Sequence, residues 1–368
     1  MKARHSLLHV SLLCGSLFYG CDILDPGDPG DSAHGSEAGV LYMVGADTES
    51  GALYAMNLED TSLSSSLTQV HKDSHLKTWG GEVYVIERYL KDNISRYDPQ
   101  SATIASQTAL PDGANPQDLA FVSAKKAYVS CLNSANLYVI NPRAGNVLDS
   151  INLSHYAYAA GGATTPYAGP LEIIDEDLYV GLQRLDGAFQ PGLPTLIVKI
   201  DLSDNTVADT IACNHKNVQD MVAVDGKLYV CNAGVTFSTE GSTLGDEAVE
   251  VVDVSSGSVS IALTSDAIAG EPSAIVHKDG DLFYISCMVS WGNTGVGEFD
   301  MASGKRRSTL DGVSDAAGGL CYDATRELLF VGEKKMDAPG ILVFKDNSLI
   351  AGPILPSGGL PPYSIAGM

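Results

Sequence analysis

The sequence predicts an all-β protein made of seven copies of one small sheet, because two short patterns alternate along most of its 368 residues. The first is an apolar strand centred on an aromatic residue, such as LYVCN at Leu228–Asn232. The second is a turn rich in Asp, Asn and Gly, such as VDVSSGS beginning at Val252. Repeats of about 40–50 residues built only from short strands are typical of β-propeller blades. We therefore expect a seven-bladed β-propeller, with aromatic strands at Leu41–Gly45, Val83–Glu87, Ala127–Cys131, Leu178–Leu182, Leu228–Asn232, Phe283–Cys287 and Leu329–Glu333.

An inner strand precedes the aromatic strand in every copy except the first, and the two ends of the chain complete that copy together. The first copy begins at Val40 with its aromatic strand, whereas the chain ends on an orphan inner strand, PYSIAG. A C-terminal strand that completes blade 1 closes the ring and leaves no long unpaired edge. The predicted propeller domain is 39–368. The predicted inner strands are His75–Gly80, Pro116–Val122, Pro170–Asp175, Val218–Val224, Pro272–His277, Gly318–Asp323 and Pro362–Gly367.

The first 38 residues predict export and lipidation. Two basic residues precede the apolar run Leu7–Tyr19, which is too short to span a membrane and fits a signal peptide. The stretch LFYGC ending at Cys21 resembles a bacterial lipobox. We expect a lipoprotein signal peptide at 1–20, a lipid anchor on Cys21 and an acidic, disordered tether over 21–38. This places the protein in the cell envelope, lipid-anchored to the outer membrane on its periplasmic or its surface side; an ordinary secretory signal cut nearby is the alternative.

The charge of the chain argues against nucleic-acid binding. The sequence contains 22 Lys and Arg and 45 Asp and Glu. The resulting formal charge of −23 repels phosphate backbones. Beyond the predicted signal peptide and Cys21 the sequence contains five cysteines and no CxxC pair, so a cysteine-based zinc site has no support. Cys213 and Cys231 are candidates for a disulfide at the rim of blade 5.

The aromatic strands and the Asp/Asn turns, at 141–145, 201–205, 253–257 and 300–304, resemble the YVTN-repeat, YncE-like propellers over residues 39–368. The resemblance implies the fold and leaves the ligand open. Pyrroloquinoline-quinone propeller enzymes have a similar turn followed by a docking Trp. The stretches after the turns here, such as DTIAC at 209–213, contain no Trp, which disfavours that cofactor.

The connections after the second and fourth strands of a blade share one face of a propeller, and here they are uneven. Long loops are expected at Ser154–Pro170, Gly181–Thr195, Asn232–Ala248 and Ser286–Val296, so we call this the long-loop face. Clustered aromatics with one fixed charge suit a partly apolar ligand or a protein epitope. The alternative is that these rings pack beneath their own loops. The predicted ligand-binding residues are Tyr156, Tyr158, Tyr167, Arg184, Phe189, Phe237 and Trp291.

Carboxylates are also expected in the central channel. Asp118, Glu172 and Asp220 are predicted at matching places on consecutive inner strands, where their oxygens could hold a hard cation such as Ca²⁺. A water-filled acidic channel without an ion is the alternative.

The sequence favours a binding function over catalysis. It contains neither GxSxG nor HExxH. The combination of lipobox and propeller looks like surface lipoproteins that capture corrinoids for an outer-membrane transporter. We therefore expect a non-catalytic envelope lipoprotein that binds a ligand or protein partner on its long-loop face. The alternatives are a cation-dependent lyase or lactonase and a scaffold of an envelope complex.

Overall fold

A computed structural model describes residues 39–235 and 245–368, and in it the chain forms seven four-stranded antiparallel sheets. Each sheet is one blade, with strands named inner, second, third and outer in their order across the sheet. The neighbours across blade boundaries are inner strands, which pack side by side around a central channel. The seven-bladed β-propeller expected from the repeat is thereby confirmed.

The blades follow one another along the chain, and blade 1 combines both ends. Blade 1 contains β1 (Val40–Ala46), β2 (Gly51–Asn57) and β3 (Thr68–Val70). Blade 2 contains β4 (Ser74–Trp79), β5 (Glu82–Glu87), β6 (Asn93–Asp98) and β7 (Thr103–Ala109). Blade 3 contains β8 (Pro116–Ser123), β9 (Lys126–Cys131), β10 (Asn136–Asn141) and β11 (Asn146–Asn152). Blade 4 contains β12 (Ala168–Ile174), β13 (Asp177–Leu182), β14 (Leu196–Asp201) and β15 (Thr206–Ala212).

The remaining blades have the same strand order. Blade 5 contains β16 (Val218–Val224), β17 (Lys227–Asn232), β18 (Ala248–Asp253) and β19 (Ser258–Thr264). Blade 6 contains β20 (Glu271–Asp279), β21 (Leu282–Ser290), β22 (Asn293–Asp300) and β23 (Lys305–Thr309). Blade 7 contains β24 (Leu320–Asp323), β25 (Leu328–Glu333), β26 (Gly340–Lys345) and β27 (Ser348–Ile354), and the chain ends with β28 (Pro362–Gly367). The described helical segments are short: α1 (Ser265–Ile268) and 3-10 turns at Ser154–Tyr156 and Ala159–Gly161.

Ring closure follows the prediction. β28 pairs antiparallel with β1, so that Gly367 lies opposite Leu41 and Ser364 opposite Val44. The last strand therefore supplies the inner position of blade 1. The sheet of blade 1 therefore has β28, from the C-terminal end of the propeller domain, at one edge and β3, from the N-terminal end, at the other. This pairing couples the termini to the stability of the whole ring.

The two sequence patterns of the repeat meet across blade boundaries. The Tyr128 hydroxyl of blade 3 donates to Asn205 Oδ1 in a blade 4 turn, at 2.5 Å, and the Tyr284 hydroxyl of blade 6 donates to Asn347 Oδ1 in a blade 7 turn, at 2.8 Å. Both tyrosines are fully buried, and buried hydroxyls need such partners. Asn205 and Asn347 have φ of 61° and 63°, a conformation that Asn tolerates.

Cys213 and Cys231 are buried and do not form the candidate disulfide. Within the described residues, no helix is long and apolar enough to cross a membrane. The predicted signal peptide, Cys21 and the tether lie outside the described residues.

Candidate functional site

Two long connections of blade 4 form one packed unit on the long-loop face. The loop before β12 and the loop between β13 and β14 are joined by a hydrogen bond from the Gly187 amide to the Gly161 carbonyl, at 3.0 Å. The Tyr158 ring lies against Gly161 and Gly192, where an added Cβ would come within 2.8 Å and 2.0 Å of it. Tyr158, which is half-buried, therefore packs against both loops of this pair.

The other blade 4 candidates also hold the loops together. The Tyr167 side chain is 7% exposed, and its hydroxyl donates to the Asp186 carbonyl at 3.2 Å. Arg184 Nε donates to the Tyr156 carbonyl at 3.3 Å, and Nη1 donates to the Pro194 carbonyl at 3.4 Å. Tyr156 packs partly buried against the core between blades 3 and 4. The alternative in which aromatic residues form local loop cores fits Tyr158 and Tyr167 best.

Phe189 and Trp291 are the predicted aromatics that remain on the surface. Phe189 is 55% exposed and packs edge-on against Tyr167, whereas Trp291 is 86% exposed. The long loop expected at Ser286–Val296 is wrong, because β21 and β22 continue through it and end in a tight turn at Trp291 and Gly292. Gly292 permits that turn with a φ of 73°. Phe237 lies outside the described residues.

Further apolar side chains stand exposed at the tips of second-to-third connections. Because every such connection is on the long-loop face, these residues share that face with Phe189 and Trp291. Sequence reasoning missed them, although an apolar residue between charged ones, as in RYLKD and KKMDA, was a local signal. We call the whole set the apolar tips: Tyr89, Leu90, Phe189, Val289, Trp291 and Met336.

A polar network lies on the same face where blades 1 and 2 meet, which we call the mouth network. Arg88 Nε donates to Asp73 Oδ1 at 2.9 Å and Nη2 donates to the Tyr363 hydroxyl at 2.9 Å. The Tyr363 hydroxyl donates in turn to Asp73 Oδ1 at 2.7 Å. Arg88 Nη1 reaches Gln117 Oε1 of blade 3 at 3.2 Å. Residues far apart in sequence build this network, so no local pattern could have revealed it.

Two basic side chains beside the mouth network are shifted towards their neutral forms. Burial lowers the pKa of His75 to about 3, and the nearby Arg88 charge adds to that effect. Burial also lowers the pKa of Lys334, whose ammonium lies 4.5 Å from the centre of the Tyr363 ring. At neutral pH His75 is therefore uncharged, and the network is an ordered structural joint between blades.

The three predicted channel carboxylates do not occupy matching places. Asp118 lies opposite Ser130 and Asp220 opposite Cys231, whereas Glu172 lies opposite Tyr179, two positions further along its strand. The residue equivalent to Asp118 in blade 4 is Pro170, because the inner strand of blade 4 begins at Ala168 and the bulge after its first residue is shared by all three blades. Glu172 instead shares its level with Lys77, which lies opposite Tyr84.

Asp118 and Asp220 link neighbouring blades. Asp118 Oδ2 accepts the Leu171 amide of blade 4 at 2.9 Å, and Asp220 Oδ2 accepts the Ile275 amide of blade 6 at 3.0 Å. Ser364 of blade 1 does the same for the Leu76 amide of blade 2, at 3.0 Å. The carboxylate oxygens that a cation would need thus hold inner strands together.

The three-carboxylate calcium site is accordingly not formed. Across residues 39–235 and 245–368, no group of three His, Cys, Asp or Glu side chains is arranged to hold a metal ion. Burial, rather than a neighbouring carboxylate, is the main reason that the pKa of Asp220 is raised to about 7. Asp118 is paired with Lys77 Nζ at 2.9 Å.

A second carboxylate with a raised pKa lies between blades 5 and 6 on the long-loop face. Glu271 is 7% exposed, and no hydrogen-bond partner of its Oε2 is found among the described residues. Burial, reinforced by the nearby charge of Glu247, raises the pKa of Glu271 to about 7. Glu247 itself accepts the Ser265 hydroxyl and the Gly245 amide, each at 2.7 Å. One proton thus titrates near neutral pH at this joint.

Comparison with known proteins supports the fold alone. No family model matches the chain, and no curated protein matches it. Among solved structures it is similar to Kuenenia stuttgartiensis hydrazine synthase, with a TM-score of 0.61 and 13% identity over 83% of this chain and 94% of that one. It is also similar to the β-propeller domain of Cps50 (Swd1) from Myceliophteria thermophila, with a TM-score of 0.58 and 10% identity over 79% and 90%. A chain of the mitotic checkpoint complex gives 0.56 and 13% over 88% and 96%. At such identities, these propellers do not transfer their activities.

Proposed function

We propose that this protein is a non-catalytic lipoprotein of a bacterial envelope that binds a protein partner through its long-loop face. The observation that carries the proposal is the set of apolar tips. Leu90, Trp291 and Met336 are 76%, 86% and 99% exposed at the ends of connections from blades 2, 6 and 7. Large apolar side chains held out on loops of a rigid scaffold are typical of recognition surfaces.

The chemistry of the tips favours a macromolecule over a small ligand. Aromatic residues and Met are enriched at protein interfaces. The tips are also distributed over blades 2, 4, 6 and 7 rather than grouped closely enough to surround one small ligand. The chain as a whole has a formal charge of −23, which favours a partner with complementary basic groups.

The N-terminal sequence supports the envelope part of the proposal. A lipid on Cys21 and a tether over 21–38 would hold the ring near a membrane while leaving the long-loop face free to bind. The finer form of the proposal is that the partner is an outer-membrane transporter and that a corrinoid is the captured nutrient. That form rests on the resemblance to corrinoid-capturing surface lipoproteins. It predicts that purified protein retains added cyanocobalamin through gel filtration, as measured by visible absorption.

The test of partner binding uses photo-crosslinking in the native envelope. A photoreactive amino acid is placed at Met336, on the tips, and in a matched strain at Ile350, an exposed apolar residue of the outer strand β27. We expect a discrete crosslinked species from position 336 and none from position 350. The crosslink should disappear when Leu90 and Trp291 are both replaced by Ala. Equal crosslinking from both positions, or a crosslink that survives the double replacement, contradicts the proposal.

The anchor is tested separately by Cys21→Ser. The variant should fold and leave washed membranes, because the lipid is the proposed attachment. Retention at the wild-type level would exclude lipid as the anchor. The cation-dependent lyase or lactonase alternative has lost the three-carboxylate site on which it rested.

A further inference from the structure

The central channel opens on the face opposite the long loops, which we call the turn face, into a cavity that partner binding does not use. Its volume is about 380 Å³, and its walls come from inner strands of blades 2 to 7. This size falls within the range of roughly 300–1,000 Å³ that is usual for small-molecule sites. The tight turns at Asp175 and Asp225 form part of its rim.

The wall of the cavity contains a rigid aromatic element. The rings of Trp79 and Phe121 stack with their centroids 5.2 Å apart and their planes 11° from parallel. The Tyr84 ring packs behind Phe121 at 4.5 Å. Val222 and Val276 continue the apolar wall on the other side. These side chains are fixed by packing, so an apolar ligand body would gain contact with little ordering cost.

The charged groups of the cavity are predominantly acidic. Lys77 is the one ammonium among its lining residues, and Asp118 already pairs with it at 2.9 Å. Glu172 lies in the wall at the level of Lys77, and Asp175 and Asp225 are exposed at the rim. A narrow, low-dielectric cleft lined by one sign of charge concentrates ligands of the opposite sign.

These features select against anions and in favour of cations. An anionic ligand would face an excess of carboxylates, because Lys77 is the one ammonium against Glu172, Asp175 and Asp225 in the lining. A neutral ligand would gain the apolar contacts without the electrostatic attraction. An ammonium group would be attracted by the carboxylates and, close to the aromatic faces, by cation–π interaction.

We propose that the turn-face end of the channel is a binding site for an organic cation, an amine or quaternary ammonium attached to a flat apolar body. The body lies against Trp79 and Phe121, and the cationic group lies towards Glu172. The site is independent of the apolar tips, so it can be occupied whether or not a partner is bound on the opposite face.

Trp79 provides a built-in reporter of this site. The chain has two tryptophans, and the other, Trp291, is on the opposite face. In the Trp291→Phe protein, emission therefore comes from Trp79 alone. The probes are phenethylammonium, its neutral isostere 2-phenylethanol, and the anion 3-phenylpropanoate, with calorimetry as the second readout. We expect saturable quenching by phenethylammonium, about tenfold weaker binding of 2-phenylethanol, and no saturation by 3-phenylpropanoate.

The matched control distinguishes attraction of the cation at this site from attraction by the net charge of the whole protein. Glu172→Gln and Glu49→Gln remove the same charge, but Glu49 is exposed on the long-loop face, between β1 and β2. We expect Glu172→Gln to reduce the preference for the cation over the alcohol to less than about threefold, and Glu49→Gln to preserve it. Both variants are first checked for wild-type melting temperature. The proposal is overturned if the alcohol binds as tightly as the cation, if the two variants behave alike, or if no probe saturates.

Discussion

The two faces of the ring differ in how their connections use aromatic and apolar residues. On the long-loop face, the blade 4 connections are long enough to fold around Tyr158 and Tyr167, while shorter ones leave Trp291 and Met336 exposed at their tips. On the turn face the connections are tight hairpins, and the rings of Trp79 and Phe121 line the channel. The neighbours that a ring meets thus decide whether it becomes loop core, exposed tip or cavity wall, since Phe189 is exposed on the same long loop that covers Tyr167.

The largest effect is expected from opening the ring, because both faces depend on its closure. Deleting Pro362–Met368 removes β28, exposes the apolar edge of blade 1 and takes Tyr363 from the mouth network. We expect a loss of about 5 kcal/mol or more, and thus a melting temperature lower by at least about 10 °C. Differential scanning calorimetry measures it. Ser364→Ala, which removes one side-chain acceptor, is the control and should cost only about 1 kcal/mol.

Loop core and exposed tip should respond differently to the same truncation. Tyr167→Ala removes a buried ring and should lower the free energy of unfolding by about 3–5 kcal/mol. Trp291→Ala removes an exposed ring and should change it by less than about 0.5 kcal/mol. Urea denaturation of both variants provides the comparison. Equal losses would show that the tip is packed in solution, which would remove the basis of the proposed partner surface.

The mouth network should contribute more to stability than a surface ion pair. Arg88→Ala leaves Asp73 and Tyr363 without their shared partner, and we expect a cost of about 2–4 kcal/mol. Arg307 pairs with Asp300 at 3.2 Å while its side chain is 58% exposed, so Arg307→Ala should cost less than about 1 kcal/mol. If chemical denaturation finds the two losses equal, the network does not act as a joint between blades.

The channel and the long-loop face should each contribute to a fall in stability as the pH rises. The pKa values of Asp220 in the channel and Glu271 on the long-loop face are raised to about 7. The folded protein therefore binds more protons than the unfolded chain between the ordinary carboxyl pKa and about 7. The stability that these groups supply is complete at low pH and is lost as the pH rises to about 7. Urea midpoints at several pH values should fall over this interval, and fall less steeply in Asp220→Asn and in Glu271→Gln. Asp209→Asn, on the outer strand β15, should keep the wild-type slope.

The smallest effect is expected from calcium. Asp118 and Asp220 already accept backbone amides, and Glu172 lies two positions away from them, so calcium has no preformed site in the channel. Adding calcium or a chelator should leave the melting temperature unchanged within about 1 °C. A rise in wild type that Asp118→Asn abolishes would restore the calcium hypothesis.

The candidate sites were less predictable than the fold. The uneven loops pointed to blade 4, yet Tyr158 and Tyr167 turned out to be packed inside those loops, since burial depends on the neighbouring loop and not on the residue itself. In blade 6, strand pairing extended through the expected loop as far as Ser290 and Asn293. The matching places assigned to Asp118 and Glu172 were wrong because the alignment placed Pro170 level with Pro116, whereas the residue of blade 4 that is paired like Pro116 is Ala168.

The sequence by itself determined the number of blades, the order of their strands and the closure by the last strand. Those features depend on alternating apolar strands and on turns whose signals span fewer than about ten residues. Only the tertiary structure decided that Arg88 joins Asp73 to Tyr363, that Trp79 stacks on Phe121 to line a cavity, and that Asp220 is buried enough to titrate near neutral pH. The physical reason is that such contacts join residues from different blades, and the closed ring alone brings them within reach of one another.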